Sequence, residues 1–236
     1  MKSNISIIIC NYNNQRYLER CLDSIYSQTI NINKYKVIFV DDASTDSSLS
    51  LISKYFKKKN FTLIKNKKNL GLIKSCNKAL ERCHTKYFIR VDSDDYVSKL
   101  FISKFLKEIK KNYDFIFSNY YIVKKRKTKK IKFKNNKIFN LISCSIAMKV
   151  NFVKKIGKYR NMFWEEYDLY IRYLNKYHKV KKLKDYLYYY RRHQSNMTNS
   201  KKNIKLGWAK LYSKHNLNKI KKINLNFNDN LVKNEK

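Results

Sequence analysis

Short apolar runs that each stop at a polar cluster recur through the first half of the chain, and nothing else in the sequence limits the fold as much. Residues 5–9, 37–40, 61–64 and 87–91 are rich in β-branched and aromatic side chains, the pattern of strands buried on both faces. Between them apolar residues return at helical spacing. Tyr17, Leu18, Cys21, Leu22, Ile25 and Tyr26 form one stripe facing the sheet, and Leu49, Ile52 and Phe56 a second, whose helix Asp46 is placed to cap. Further helices are expected over 72–83 and 98–111. This alternation predicts an α/β fold, a Rossmann-like αβα sandwich with a mainly parallel central sheet. Ligands of such sheets bind beyond the carboxyl ends of the strands. Those ends carry residues 10–13, the pair Asp41 and Asp42, and Asp92-Ser93-Asp94-Asp95.

The second half changes character. Residues 113–123 and 131–133 read as strands joined by a basic turn over 124–130, residues 165–177 as a helix, and 186–190 as a tyrosine-rich strand. Beyond Lys201 the chain is rich in Lys and Asn, with helix expected over 204–212. A length of 236 residues suits one domain. The expected division is a domain over 1–198, with halves at 1–112 and 113–198, followed by a basic C-terminal tail over 199–236.

Lys and Arg number 54 against 17 acids, a net charge of +37. Nucleic acid, an acidic membrane leaflet or a diphosphate substrate would each meet such a charge. Abundant Lys, Asn, Ile and Tyr beside 3 Gly and no Pro also reads as an AT-rich coding bias. The five cysteines are odd in number and lack metal-ligand spacing, as expected of reduced thiols in a cytoplasmic protein. Residues 1–10 do not read as a signal peptide, and no apolar run suffices to span a bilayer. Membrane contact on this reading is peripheral, at the inner face of the cell membrane.

Three carboxylates in four residues at 92–95 repel one another unless a cation or strong donors neutralise them. Mn²⁺ or Mg²⁺ does so with oxygen ligands and also holds phosphates; the plainer reading is a loop of solvated acids. A carboxylate at 41 or 42 can accept from a base N–H or a ribose hydroxyl. Glu165-Glu166-x-Asp168 opens a helix, where acids suit the macrodipole and equally supply a general base. His193 follows Tyr190-Arg191-Arg192; a lone His is commonly structural, but beside two arginines it also suits a metal or diphosphate. The tyrosines of 186–190 read as sheet packing.

Taken in order, Ser6-Ile7-Ile8-Ile9-Cys10-Asn11-Tyr12-Asn13, Val40-Asp41-Asp42-Ala43-Ser44-Thr45-Asp46, Asn69-Leu70-Gly71, Asp92-Ser93-Asp94-Asp95, Glu165-Glu166-Tyr167-Asp168-Leu169 and Tyr190-Arg191-Arg192-His193 resemble the family 2 glycosyltransferases, which have the GT-A fold. The resemblance covers residues 3–198. It implies inverting transfer of a sugar from a nucleotide-diphosphate donor, a UDP-sugar favoured, to a hydroxyl of a glycan or lipid-linked acceptor in surface polysaccharide synthesis. It implies Asp42 at the base, Cys10, Asn11 and Tyr12 around the nucleotide, and Asn69, Lys74 and Arg192 along the donor. Asp92 would lie beside ribose and metal, Asp94 would be the principal ligand of Mn²⁺ or Mg²⁺, and His193 would assist at the metal. Glu166 is the implied base, with Glu165 its neighbour and alternate. This chain departs from the family pattern in ending its acid pair in Glu. Cys76 also stands where a basic residue is common, which leaves Lys74 or another lysine to meet the diphosphate.

Two other readings compete. A sugar nucleotidyltransferase shares the sheet and the acids but wants a Gly-rich N-terminal loop, and residues 10–15 hold no glycine. A nucleic-acid-binding protein would explain the charge and the interleaved aromatics. Acids at the strand ends argue against it.

Overall fold

The computed structural model describes residues 3–125, 127–132 and 138–216. The first half runs β1 (Ile5–Asn11), α1 (Gln15–Tyr26), β2 (Tyr35–Asp41), α2 (Ser48–Ile52), β3 (Phe61–Lys65), α3 (Leu72–Glu81) and β4 (Tyr87–Arg90). The second runs β5 (Tyr96–Val97), α4 (Phe101–Ile109), β6 (Phe115–Lys124), β7 (Lys127–Ile131), β8 (Ile146–Lys149), α5 (Val150–Lys155), α6 (Glu165–Leu174), β9 (Val180–Arg192) and α7 (Lys201–His215). One sheet of order β3-β2-β1-β4-β8-β6-β9-β5 results, with β7 added on β6.

The period of two along β1 builds the sandwich. Ile7 and Ile9 face a core shared with α1, α2 and α4, while Ile8 and Cys10 face a second core shared with α3, α6 and α7. Burying Leu18, Leu22 and Ile25 of α1 completely contributes roughly 1.5–3 kcal/mol for each side chain. The expected α/β sandwich is borne out, with β1–β2, β1–β4, β2–β3 and β6–β9 all parallel. Antiparallel pairing enters at β8, which joins β4 to β6.

Local expectations need four corrections. Tyr17 does not join the buried stripe of α1; it is half-buried and stacks on His193, ring centroids 4.7 Å apart. Helix α2 ends at Ile52, so the 3-10 turn that follows buries Tyr55 and leaves Phe56 42% exposed. Asp46 stands one residue before the N-cap, Ser47; its Oδ1 still accepts the Ser48 N–H at 2.9 Å, and Oδ2 accepts Gln15 N–H at 2.9 Å. Most of the basic segment over 124–130 is strand β7 rather than turn, paired with Tyr120–Lys124 of β6. Phe133, at the end of the expected strand, lies outside the described residues, as do positions 217–236 of the expected tail.

Helix α7 packs on the body of the protein. Trp208 stacks on Tyr167 at 5.5 Å and meets Phe139 edge-on at 5.2 Å. The backbone at Gly207 comes so close to Phe163 that an added Cβ would lie 2.8 Å from its Cδ1.

Candidate active site

A cavity of about 650 Å³ opens beyond the carboxyl ends of β1, β2 and β4. On its β1 and β2 side stand Cys10, Asn11, Tyr12 and Asp42. Asn11 donates to Ser44 Oγ at 3.1 Å, while its Oδ1 is buried without a partner. The Asp42 carboxylate clamps the next loop: Oδ1 accepts from Asn66 Nδ2 at 2.7 Å and Leu70 N–H at 2.8 Å, and Oδ2 accepts from Gly71 N–H at 2.8 Å. Gly71 holds φ +84° at the N-cap of α3, a conformation that only glycine adopts without strain. The loop so fixed brings Asn69 to the cavity wall.

The acids after β4 divide by direction. Asp95 is fully buried, accepting from Tyr188 OH at 2.7 Å and Arg191 N–H at 2.6 Å, and thereby pins β9 to this loop. Asp92 and Asp94 line the cavity. Burial is the largest influence on Asp92 and works to raise its pKa, but the charge and hydrogen bonds of Arg90 together with hydrogen bonds from Cys144 and Ser143 outweigh it, and the net direction is down. Burial, then the charge of Asp92, pushes Asp94 up. Asp94 Oδ2 lies 2.8 Å from His193 Nε2, and His193 Nδ1 is 2.9 Å from Ser195 Oγ.

Arg90, which sequence reasoning passed over, joins the two halves. Its Nε donates to Asp92 Oδ1 at 2.8 Å, Nη1 to Glu165 Oε1 at 3.0 Å and Nη2 to Ser143 Oγ at 2.9 Å. Glu165 is thus tied to a cation, and its neighbour Glu166 is not. Burial, then the negative charge of Glu165, drives the Glu166 pKa well above the usual carboxylate range. Both glutamates line the cavity. One turn on, Asp168 is fully buried and gathers Arg172 at 2.7 Å, His215 at 3.0 Å and Lys214 at 3.4 Å. The start of α6 is therefore fastened to the end of α7.

Of the residues expected at the site, Cys10, Asn11, Tyr12, Asp42, Asn69, Asp92, Asp94, Glu165, Glu166, Arg192 and His193 all border this one cavity. Lys74 is not among its lining residues; it is exposed on α3, and helical geometry turns Leu72 and Ser75 inward instead. Arg192 is engaged by the following loop, donating to Thr198 Oγ1 at 2.5 Å and Asn199 Oδ1 at 3.1 Å. Beyond the expected set, Phe163, Trp164 and Tyr167 form an aromatic wall beside the glutamates.

Charge in the cavity opposes charge on the chain. Five carboxylates, Asp42, Asp92, Asp94, Glu165 and Glu166, line it with Arg90, Arg192 and His193, and no described lysine does. Asp94 presents the carboxylate oxygen that suits Mn²⁺ or Mg²⁺, and His193 an imidazole nitrogen that Mn²⁺ accepts more readily than Mg²⁺.

A three-layer α/β sandwich carrying an acid-lined cavity at the carboxyl edge of its parallel strands defines a GT-A fold. Residues 6–221 match the family described as Glycosyl transferase family 2, and the chain belongs to that family. It is 25% identical over 231 residues to the amylovoran biosynthesis glycosyltransferase AmsE of Erwinia amylovora, covering 92% of this chain and 85% of AmsE. It is 37% identical over 109 residues to an uncharacterized glycosyltransferase of Haemophilus influenzae, 46% of this chain but 33% of that protein. The chain thus spans a third of that relative's length. The fold matches crystalline Staphylococcus aureus TarS 1–349 in complex with UDP-GlcNAc at a TM-score of 0.75 and 22% identity, over 85% of this chain and 61% of that one. Among the described residues no helix is long and apolar enough to cross a membrane.

Proposed function

We propose that the protein is an inverting glycosyltransferase that moves a sugar from a UDP-sugar, with Mn²⁺ or Mg²⁺, to a hydroxyl of a glycan or lipid-linked acceptor. The observation that carries this reading is one cavity lined both by Asp94, which meets His193, and by Glu166, a carboxyl of raised proton affinity. UDP-GlcNAc in the fold neighbour and the glycan-synthesis role in the name of AmsE support the donor and acceptor classes.

In this reading the base lies against Asp42 and Tyr12, beside Asn11. Asp94 and His193 would hold the metal, an ion that when bound would supply positive charge to the diphosphate leaving group. Asp92 stays beside the ribose, oriented by Arg90. Glu166 takes the proton of the attacking acceptor hydroxyl; its raised pKa makes it a stronger base once ionised. Glu165, paired with Arg90, orients that wall and adds the field that keeps Glu166 basic. Work at the cytoplasmic face of the membrane fits such a donor.

Thermal unfolding with UDP, GDP, CMP and dTDP, each with and without Mn²⁺, tests the donor site. UDP with metal at about 100 times its dissociation constant should add about 2.7 kcal/mol to the wild type and nothing to Asp94→Ala. If no nucleotide protects the wild type, the reading fails.

A further inference from the structure

We infer that the acceptor is a polyanion, a flexible chain bearing repeated phosphodiester charge, held by a cationic rim that the β6–β7 hairpin and the first turn of α7 build beside the cavity mouth. The inference rests on the glycosyltransferase reading and names the partner of that site.

The acids of this chain are not spread as its lysines are. No Asp or Glu occurs between Asp114 and Glu165 or between Asp185 and Asp229, although the first 114 residues hold eleven. A coding bias toward lysine does not by itself empty those stretches of acids. They contain both the hairpin and α7.

The fold brings the two acid-free segments to the same place. In the parallel register of β6 with β9, Lys124 lies beside Arg192, and Lys127 of β7 pairs with Lys124. Arg192 and Thr198 line the cavity and are hydrogen-bonded to each other, and α7 begins at Lys201. Lys124, Lys125, Lys127, Lys201 and Lys202 are all exposed. The cavity beside them is acidic and holds no described lysine. A ligand drawn by this rim must therefore keep its negative charge outside and send only a hydroxyl toward Glu166. A polyhydroxylated chain with regularly spaced phosphates does both. A bilayer fits less well, because docking on lipid favours an apolar patch among the lysines. Among the described residues of the β6–β7 hairpin and the first turn of α7 there is no large exposed apolar side chain.

The test uses the full chain and three probes: a fluorescent glycerol-phosphate oligomer, a neutral dextran oligomer of equal length, and vesicles of phosphatidylcholine with phosphatidylglycerol. A triple variant, Lys124→Gln, Lys127→Gln and Lys201→Gln, is compared with Lys57→Gln, Lys58→Gln and Lys59→Gln, which remove equal charge from exposed positions before β3, at the opposite edge of the sheet. The wild type should bind the phosphate oligomer and not dextran. Every lysine–phosphate pairing that the rim variant removes should lower the slope of log affinity against log salt by about 0.7, and the control variant should keep the wild-type slope. UDP protection in the presence of Mn²⁺, measured on the same samples, should be equal in all three proteins. Equal oligomer binding by the rim and control variants overturns the rim, as does binding to vesicles alone, while intact UDP protection leaves the donor site standing. Oligomer binding by a protein that UDP never protects removes the enzyme reading and the acceptor role with it.

Discussion

Arg90 Nη1 donates to Glu165 Oε1 at 3.0 Å while the same guanidinium holds Asp92, so one buried cation spans the acidic loop after β4 and the first residue of α6. Arg90 and Glu165 are 75 residues apart in the chain. Arg90→Met should destabilise the protein by about 3–5 kcal/mol, since removing one partner leaves buried Glu165 and half-buried Asp92 without a counter-charge. Urea unfolding measures the loss, and a change below about 1 kcal/mol would mean that water reaches this site.

Glu166→Gln should lower kcat about 10²–10⁴-fold while leaving UDP binding in place. The wild-type rate should climb as pH rises through the raised Glu166 pKa, because only the ionised carboxylate accepts a proton. Stability runs the other way. The native protein binds that proton more tightly than the unfolded chain, so stability contributed by Glu166 falls as pH rises from the ordinary Glu range through the folded value. A variant with wild-type kcat would move the role of base to Glu165 or elsewhere.

The Asp168 carboxyl behaves oppositely. Burial works to raise its pKa, Arg172 and then His215 outweigh burial, and the net direction is down. Its stabilisation is therefore complete above the ordinary Asp range and is lost as pH falls through the folded value. Asp168→Asn should cost about 3–5 kcal/mol at neutral pH and much less in acid. Denaturation curves at the two pH values separate these outcomes.

Gly207→Ala sets two effects against each other. Replacing a mid-helix glycine gains about 1 kcal/mol of helix propensity. The new Cβ, however, would lie 2.8 Å from Cδ1 and 2.9 Å from Cβ of Phe163. Contact with the Cβ as well as the ring means that a rotamer change of Phe163 does not relieve it. The overpacking cost of about 1–3 kcal/mol should win, lowering the melting temperature. A raised melting temperature would show that α7 shifts freely.

His193→Ala should weaken Mn²⁺-dependent UDP protection, and Tyr17→Leu should do so to a smaller degree by freeing the imidazole that Tyr17 stacks against. Tyr17→Phe keeps the ring and should behave as wild type. Nucleotide titrations with and without metal distinguish the three.

The parallel half of the sheet was legible because strands buried on both faces must be apolar throughout, so their ends are marked by the first acids. The cavity followed, since topology alone gathers those ends. Less legible were β8, a four-residue strand, and the two-residue β5. Such lengths carry no periodicity, and only pairing with β4 and β9 defines them. Arg90 passed unnoticed inside an apolar strand, although a lone arginine two residues before an acidic cluster was itself a signal of a buried ion pair. Lys74 shows the converse: the family resemblance offered it to the diphosphate, and the rotation of α3 leaves it exposed and outside the cavity lining.

The bond between Asp168 and the end of α7 also bears on how the molecule opens. A carboxyl-terminal helix ordinarily frays first and alone. Here its final turn is held by a carboxylate in the same helical turn as Glu166, and its middle by Phe163 and Tyr167. The two segments form one cooperative unit, so amide exchange in α7 should track exchange at the start of α6 rather than that of a free end. Any fluctuation that releases α7 is then also a fluctuation of the cavity wall that carries Glu165 and Glu166.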